Sequence, residues 1–242
     1  MDLHKTAGFI HHQKAPRSAT IREVIFGLED GLVSTLGALT GIAAGTSNRF
    51  VIILSGFVII AVESISMAVG SYLSSKSELD IDKRKLTEEE FELKEYPAEE
   101  KTELAGMYVA DGWSPPLAAE MAEEASKNHK LFLQEMAYRE LKVFPENLER
   151  PMSNALFMGL SYLLGGAIPL IPYLILSVSG AISVSVVVTL SALFILGALT
   201  SRYSKRSWWR AGLEMFLLAS AAALIGYLVG QGVERWWLVG GD

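Results

Sequence analysis

The sequence predicts an all-α integral membrane protein: five transmembrane helices, with an acidic three-helix subdomain inserted between the second and third. Three observations predict it. Half of the 242 residues are hydrophobic and the mean hydropathy is +0.31, although a fifth of the chain is charged, so the apolar residues must be gathered in blocks. Five blocks are long enough to cross a bilayer, at about residues 22–45, 50–73, 154–177, 180–200 and 210–230. Between the second and third lies a stretch, 76–152, with eleven Lys or Arg against nineteen Asp or Glu, divided by its prolines into short helical segments. The chain thus divides into an N-terminal segment 1–21, spans one and two in 22–75, the acidic insertion 76–152, spans three to five in 153–232, and a tail 233–242.

Taken in order, the leading segment has His4, Lys5, His11, His12, Lys14 and Arg17 and no apolar core, so a cleaved signal is not expected. The first span, IREVIFGLEDGLVSTLGALTGIAAG, carries Glu29 and Asp30. Its Gly27, Gly31, Gly37, Gly41 and Gly45 let another helix approach closely, from the same subunit or from a second one. The second span carries Glu63 and Met67, four apart and therefore on one helical face. Neither Gly nor Pro occurs between Gly70 and Pro97, so this helix should run on past the membrane through LDIDKRKLTEEEFELKEY.

Pro97 suits the first turn of the next helix, PAEEKTELAGMYVADG, which Gly112 can close. Ser114 and Pro115 start SPPLAAEMAEEASKNH, and KLFLQEMAYRELKVF follows before Pro145. The third span contains Gly165, Gly166, Pro169 and Pro172, which weaken helical hydrogen bonding; such weakness is tolerated only against protein or a water-filled cavity. The fourth has no charge. The fifth carries Glu214 near Arg210, as a paired or snorkelling acid, between the anchoring Trp208, Trp209, Trp236 and Trp237.

Lys and Arg set the orientation. Lys5, Lys14, Arg17 and Arg22, then Lys76, Lys83, Arg84 and Lys85, then Arg202, Lys205, Arg206 and Arg210 fall on one side, against Arg49 and Arg235 on the other. The N terminus and the insertion should therefore be cytoplasmic. Cysteine is absent, which excludes disulfides and thiolate metal sites, and a net charge of −6 is no nucleic-acid footprint.

An ionised group at the centre of a spanning helix costs roughly 2.5 kcal/mol or more, so Asp30 and Glu63 need a function or a partner. At about 1.5 Å per residue, Asp30 lies about 12 Å from the surface near Arg22. In an antiparallel neighbour ending near Leu73, Met67 lies about 9 Å and Glu63 about 15 Å from that surface. Asp30 is thereby level with the gap between them, a candidate cation site. In the insertion, Glu89 and Glu92, Glu100 and Glu103, and Met136 and Glu140 pair along their helices. These acids are either a solvated surface or a divalent cation site. Oxygen ligands with a thioether fit ferrous iron and manganese best, with zinc and cobalt as further candidates. Carboxylates release protons to bind metal, so proton-coupled antiport follows as the natural hypothesis.

The segments FGLEDGLVST, SISMAVGSYLSSKSE, EMAYREL and GGAIPLIPYL resemble the vacuolar iron transporter family, over nearly the whole chain from Arg22 onward. The resemblance implies a homodimer of five-span subunits in a prokaryotic cell membrane or a eukaryotic vacuolar membrane. It implies a path between the subunits that exchanges ferrous iron or manganese for protons, and a cytoplasmic metal-binding domain. Asp30 and Met67 match the family's membrane ligands; Glu89, Glu92, Glu100, Glu103, Met136 and Glu140 match its cytoplasmic ones. Glu63 departs from the family's small residue or methionine, and Ser71 replaces an acid. No appended ferritin-like domain is expected.

Two other classes compete. A di-iron oxidase needs Glu-x-x-His pairs, and no histidine here has Glu three residues before it. A membrane-anchored metal sensor would have no reason to bury acids in its spans. The expectation is a divalent metal exporter, not an enzyme, with no organic cofactor and with lipid, protons and a second copy as partners.

Overall fold

The computed structural model describes residues 18–145, 148–204 and 206–240. The N-terminal segment through residue 17, Lys205 and the last two residues of the tail lie outside the described residues. Among the described residues all regular structure is helical: α1 (Ser18–Gly45), α2 (Arg49–Glu95), α3 (Pro97–Ala110), α4 (Pro115–Ser126), α5 (His129–Arg139), α6 (Pro151–Ile175), α7 (Val178–Ser204) and α8 (Trp208–Gly240). Five of these, α1, α2, α6, α7 and α8, are long and apolar enough to cross a membrane.

The chain forms two compact units, one from the chain through Tyr72 together with Met152 onward, the other from Leu73–Pro151. In the first, the direction of each helix follows from which backbones meet. A Cβ on Gly41 would lie 2.7 Å from the carbonyl oxygen of Gly226, and Gly37 faces Ala222, so α1 and α8 run parallel with a constant register. Gly27 meets Met158 and Gly31 meets Tyr162, so α1 and α6 are parallel too. Gly159 lies against Ser64 and Ala68 while Gly166 lies against Ile60, so α2 runs antiparallel to α6. The glycines of the first span are therefore seats for helices of the same chain. Contacts this close bring backbone dipoles and dispersion into play where apolar transfer gives no drive.

Pro169 and Pro172 do not interrupt α6, which is continuous to Ile175. The Ser185 hydroxyl of α7 donates to the Pro169 carbonyl at 2.7 Å, and Arg49 donates to the terminal carbonyls of Tyr173, at 2.8 Å, and Leu174. The Arg49 bonds satisfy carbonyls of the last turn of α6, which have no intrahelical donor, and the Ser185 bond ties α7 to the proline-bearing turn.

The second unit is built around Leu93, Leu104, Tyr108, Ala118, Ala122, Ala125, Phe132 and Met136, contributed by the end of α2 and by α3, α4 and α5. Asn128 rather than His129 divides α4 from α5: its side chain accepts the amides of Lys130 and Leu131, capping α5. The stretch predicted as helix to Phe144 stops at Arg139. Lys142 takes a positive φ of 55°, and the Val143 amide donates back to the Ala137 carbonyl at 2.9 Å, closing the helix end.

Candidate metal sites

In the bundle, the helix register sets Asp30 beside Tyr162 to Gly166 of α6, and that part of α6 beside Ile60 to Ser64 of α2. Asp30 is half-buried, Met67 half-buried and Glu63 exposed on the single chain. Glu63 is the acid on α2 whose charge reaches Asp30. Ser34, one turn after Asp30, donates to the Asp30 carbonyl at 2.6 Å and shares a 2.7 Å hydrogen bond with the buried Tyr162 hydroxyl. Asp30 and Glu63 are thus at one depth in one bundle, with a phenol and a hydroxyl beside Asp30.

A further buried acid, Glu23, escaped the sequence reading. It is 5% exposed, accepts a 2.8 Å hydrogen bond from Ser71 and pairs with Arg22 at 3.3 Å. Its spacing of seven from Asp30 on the same face of α1 was the available signal. Glu29 points elsewhere, into a cavity of about 360 Å³ lined also by Thr200, Arg206, Glu214 and Met215. Glu214 pairs there with Arg206 at 3.1 Å, not with Arg210, which stacks on Trp209. Trp208, Trp209 and Trp236 are exposed as anchors should be; the Trp237 side chain lies outside the described residues.

In the second unit, three of the predicted carboxylates converge. Glu89 of α2, Glu100 in the first turn of α3 and Glu140 at the end of α5 each bring one oxygen within 4.8 Å of the others. Glu89 is 2% and Glu100 7% exposed, and one oxygen of each is fully buried with no hydrogen-bond partner. Burial, followed by the charges of Glu140, Glu100 and Glu92, pushes the Glu89 carboxyl up to about 8. Burial and the charges of Glu103, Glu140, Glu92 and Glu99 push Glu100 up to about 7. Burial and the charge of Glu103 also raise Glu140, whose carboxyl lies within hydrogen-bond reach of Glu89.

Glu92 and Glu103 are exposed, yet their fields reach the cluster. Met136 is fully buried in the apolar core of the unit, and the Glu140 amide donates to its carbonyl at 2.8 Å. Uncompensated carboxylates this close repel when ionised, and a proton or a cation relieves the repulsion.

The sequence profile of the VIT family matches residues 21–231. The vacuolar iron transporter of Centaurea cyanus is 30% identical over 223 residues, covering 92% of this chain and 90% of its own length. Vacuolar iron transporter 1 of Oryza sativa subsp. japonica is 28% identical over 235 residues, 95% of this chain and 93% of its own. The vacuolar iron transporter of Plasmodium falciparum (isolate 3D7) is 26% identical over 220 residues, with 87% and 81% covered. The profile takes in all five membrane-length helices and the acidic unit between them, and this chain belongs to the VIT family.

Proposed function

We propose that this protein carries divalent metal, ferrous iron foremost and manganese with it, out of the cytoplasm in exchange for protons. Membership of the VIT family makes it a membrane metal transporter rather than an enzyme. The single observation that carries the ligand chemistry is the Glu89–Glu100–Glu140 cluster with its two buried, unpartnered oxygens. Desolvating a carboxylate without a partner is unfavourable, so such a site is built for something that arrives. Hard oxygens suit Mn²⁺ and Fe²⁺, with Met67 and Met136 as the soft donors that bias the protein toward iron. Cobalt and zinc are weaker candidates on the same chemistry.

In this reading the acidic unit faces the cytoplasm, where Glu92 and Glu103 attract the ion to Glu89, Glu100 and Glu140. Asp30, Glu63 and Met67 take it through the bundle. Protons and metal compete for the same carboxylates, which couples the two flows. Glu63 supports a dimer, because an exposed acid in a membrane-length apolar helix is costly against lipid and is relieved if a second copy covers it. The path then lies at that two-fold contact.

The test is Fe²⁺- or Mn²⁺-driven proton flux in sealed vesicles holding the purified protein. Asp30→Ala should abolish the flux, and wild-type flux through that variant would remove Asp30 from the mechanism. A membrane-anchored sensor, the second reading, would bind metal through the acidic unit and show no flux even as wild type.

A further inference from the structure

Of the three clustered carboxylates, Glu89 sits inside α2 and Glu100 in the first turn of α3, whereas Glu140 stands just past the last turn of α5, where residues fray. A neighbouring network keeps that end in place. The Arg139 Nε donates to Glu135 at 3.1 Å, its Nη1 reaches Asp111, and its guanidinium lies 4.3 Å from the centre of the Tyr108 ring. Tyr108, 3% exposed, donates its hydroxyl to the same Glu135 oxygen at 3.0 Å. Arg139 therefore ties the last turn of α5 to the C-terminal end of α3, using the planar fork and stacking face that lysine lacks.

We propose that Arg139 is the positioning residue of the carboxylate cluster: clamped by Asp111, Glu135 and Tyr108, it fixes the turn from which Glu140 reaches the ion. The assignment rests on the cluster being a metal site. It makes a prediction of sign. A cation one residue from Glu140 repels an incoming divalent ion, so by its field alone the loss of Arg139 tightens metal binding. By positioning, the loss weakens it.

Mn²⁺ titration calorimetry on the purified full-length protein decides between these. Arg139→Gln should weaken Mn²⁺ binding about tenfold, as loss of an outer partner does at other metal sites. Because the effect passes through Glu140, the double variant Arg139→Gln/Glu140→Gln should bind no more weakly than Glu140→Gln alone. Unchanged or tighter binding by Arg139→Gln, or losses that simply add, overturns the proposal. Tyr108→Phe keeps every charge and should shift affinity the same way by a smaller factor. If Arg139→Gln does not fold, the cycle of Tyr108→Phe with Glu140→Gln carries the same test. Wild-type protein that takes up no Mn²⁺ would instead sink the metal reading of the cluster.

Discussion

Glu89 and Glu100 titrate near 8 and 7 where free glutamates titrate at 4.5, and both consequences can be measured. A metal ion must displace their protons, so affinity at the cluster should fall as pH drops from about 8 to about 6, by about tenfold per pH unit for each proton displaced. Mn²⁺ titrations across that window check it, and a flat profile would mean the cluster is not the site. Stability runs the other way. The folded state holds protons that the unfolded chain releases above 4.5, so the metal-free unit is most stable below that pH and loses stability as pH rises through about 7 to 8. Limited proteolysis within Leu73–Pro151 should quicken from pH 5 to pH 8 and slow again when Mn²⁺ is added. At this scale the sequence was readable where a residue type is costly in its setting. Asp30 and Glu63 stand out because hydrocarbon penalises charge. Glu23 does not, because an acid next to Arg22 at a span's end looks ordinary until its burial is seen. Met136 looked like a ligand by its spacing from Glu140, but spacing could not show that it also fills the core.

At the scale of elements, the helices were legible from punctuation, and the errors fall where punctuation is absent. α2 is a single helix of 47 residues, as the lack of Gly and Pro between residues 70 and 97 required. α5 ends four or five residues early because Lys142 adopts a backbone conformation that glycine usually supplies, and nothing in KLFLQEMAYRELKVF signals it. Lys142→Gly should accordingly stabilise the acidic unit by about 1 kcal/mol, read as a higher denaturant midpoint for its proteolytic resistance. The glycines of α1 were recognised as packing residues, but a lone sequence does not say which helix they receive. α8 takes three of them. Gly41→Ala places a methyl group against the Gly226 carbonyl and should destabilise the bundle by about 1–3 kcal/mol, measurable as a lowered melting temperature in detergent.

For the whole molecule, five membrane-length helices, with α1, α6 and α8 parallel and α2 opposed to them, agree with an odd number of crossings. The absence of cysteine makes the topology easy to probe. Ser47→Cys, between α1 and α2, should react with an impermeant thiol reagent from the side opposite to Glu120→Cys in the acidic unit; labelling of both from one side would refute the orientation drawn from Lys and Arg. Ser66 is exposed and lies one turn from Glu63 on α2, so Ser66→Cys should cross-link two copies on oxidation if the two-fold contact covers Glu63. Assembly of copies is the level a single sequence encodes least, because the same apolar side chains serve lipid and protein partners alike.

The glycine seam between α1 and α8 also bears on how the protein is made. A ribosome delivers α1 well before α8, yet each is the other's backbone-close neighbour. Until synthesis reaches α8, Gly37, Gly41 and Gly45 wait in the bilayer without the backbone that closes against them. One side of α1 is therefore closed by α6 and the other only later by α8, and a nascent chain released before Trp208 is left with its founding helix half dressed.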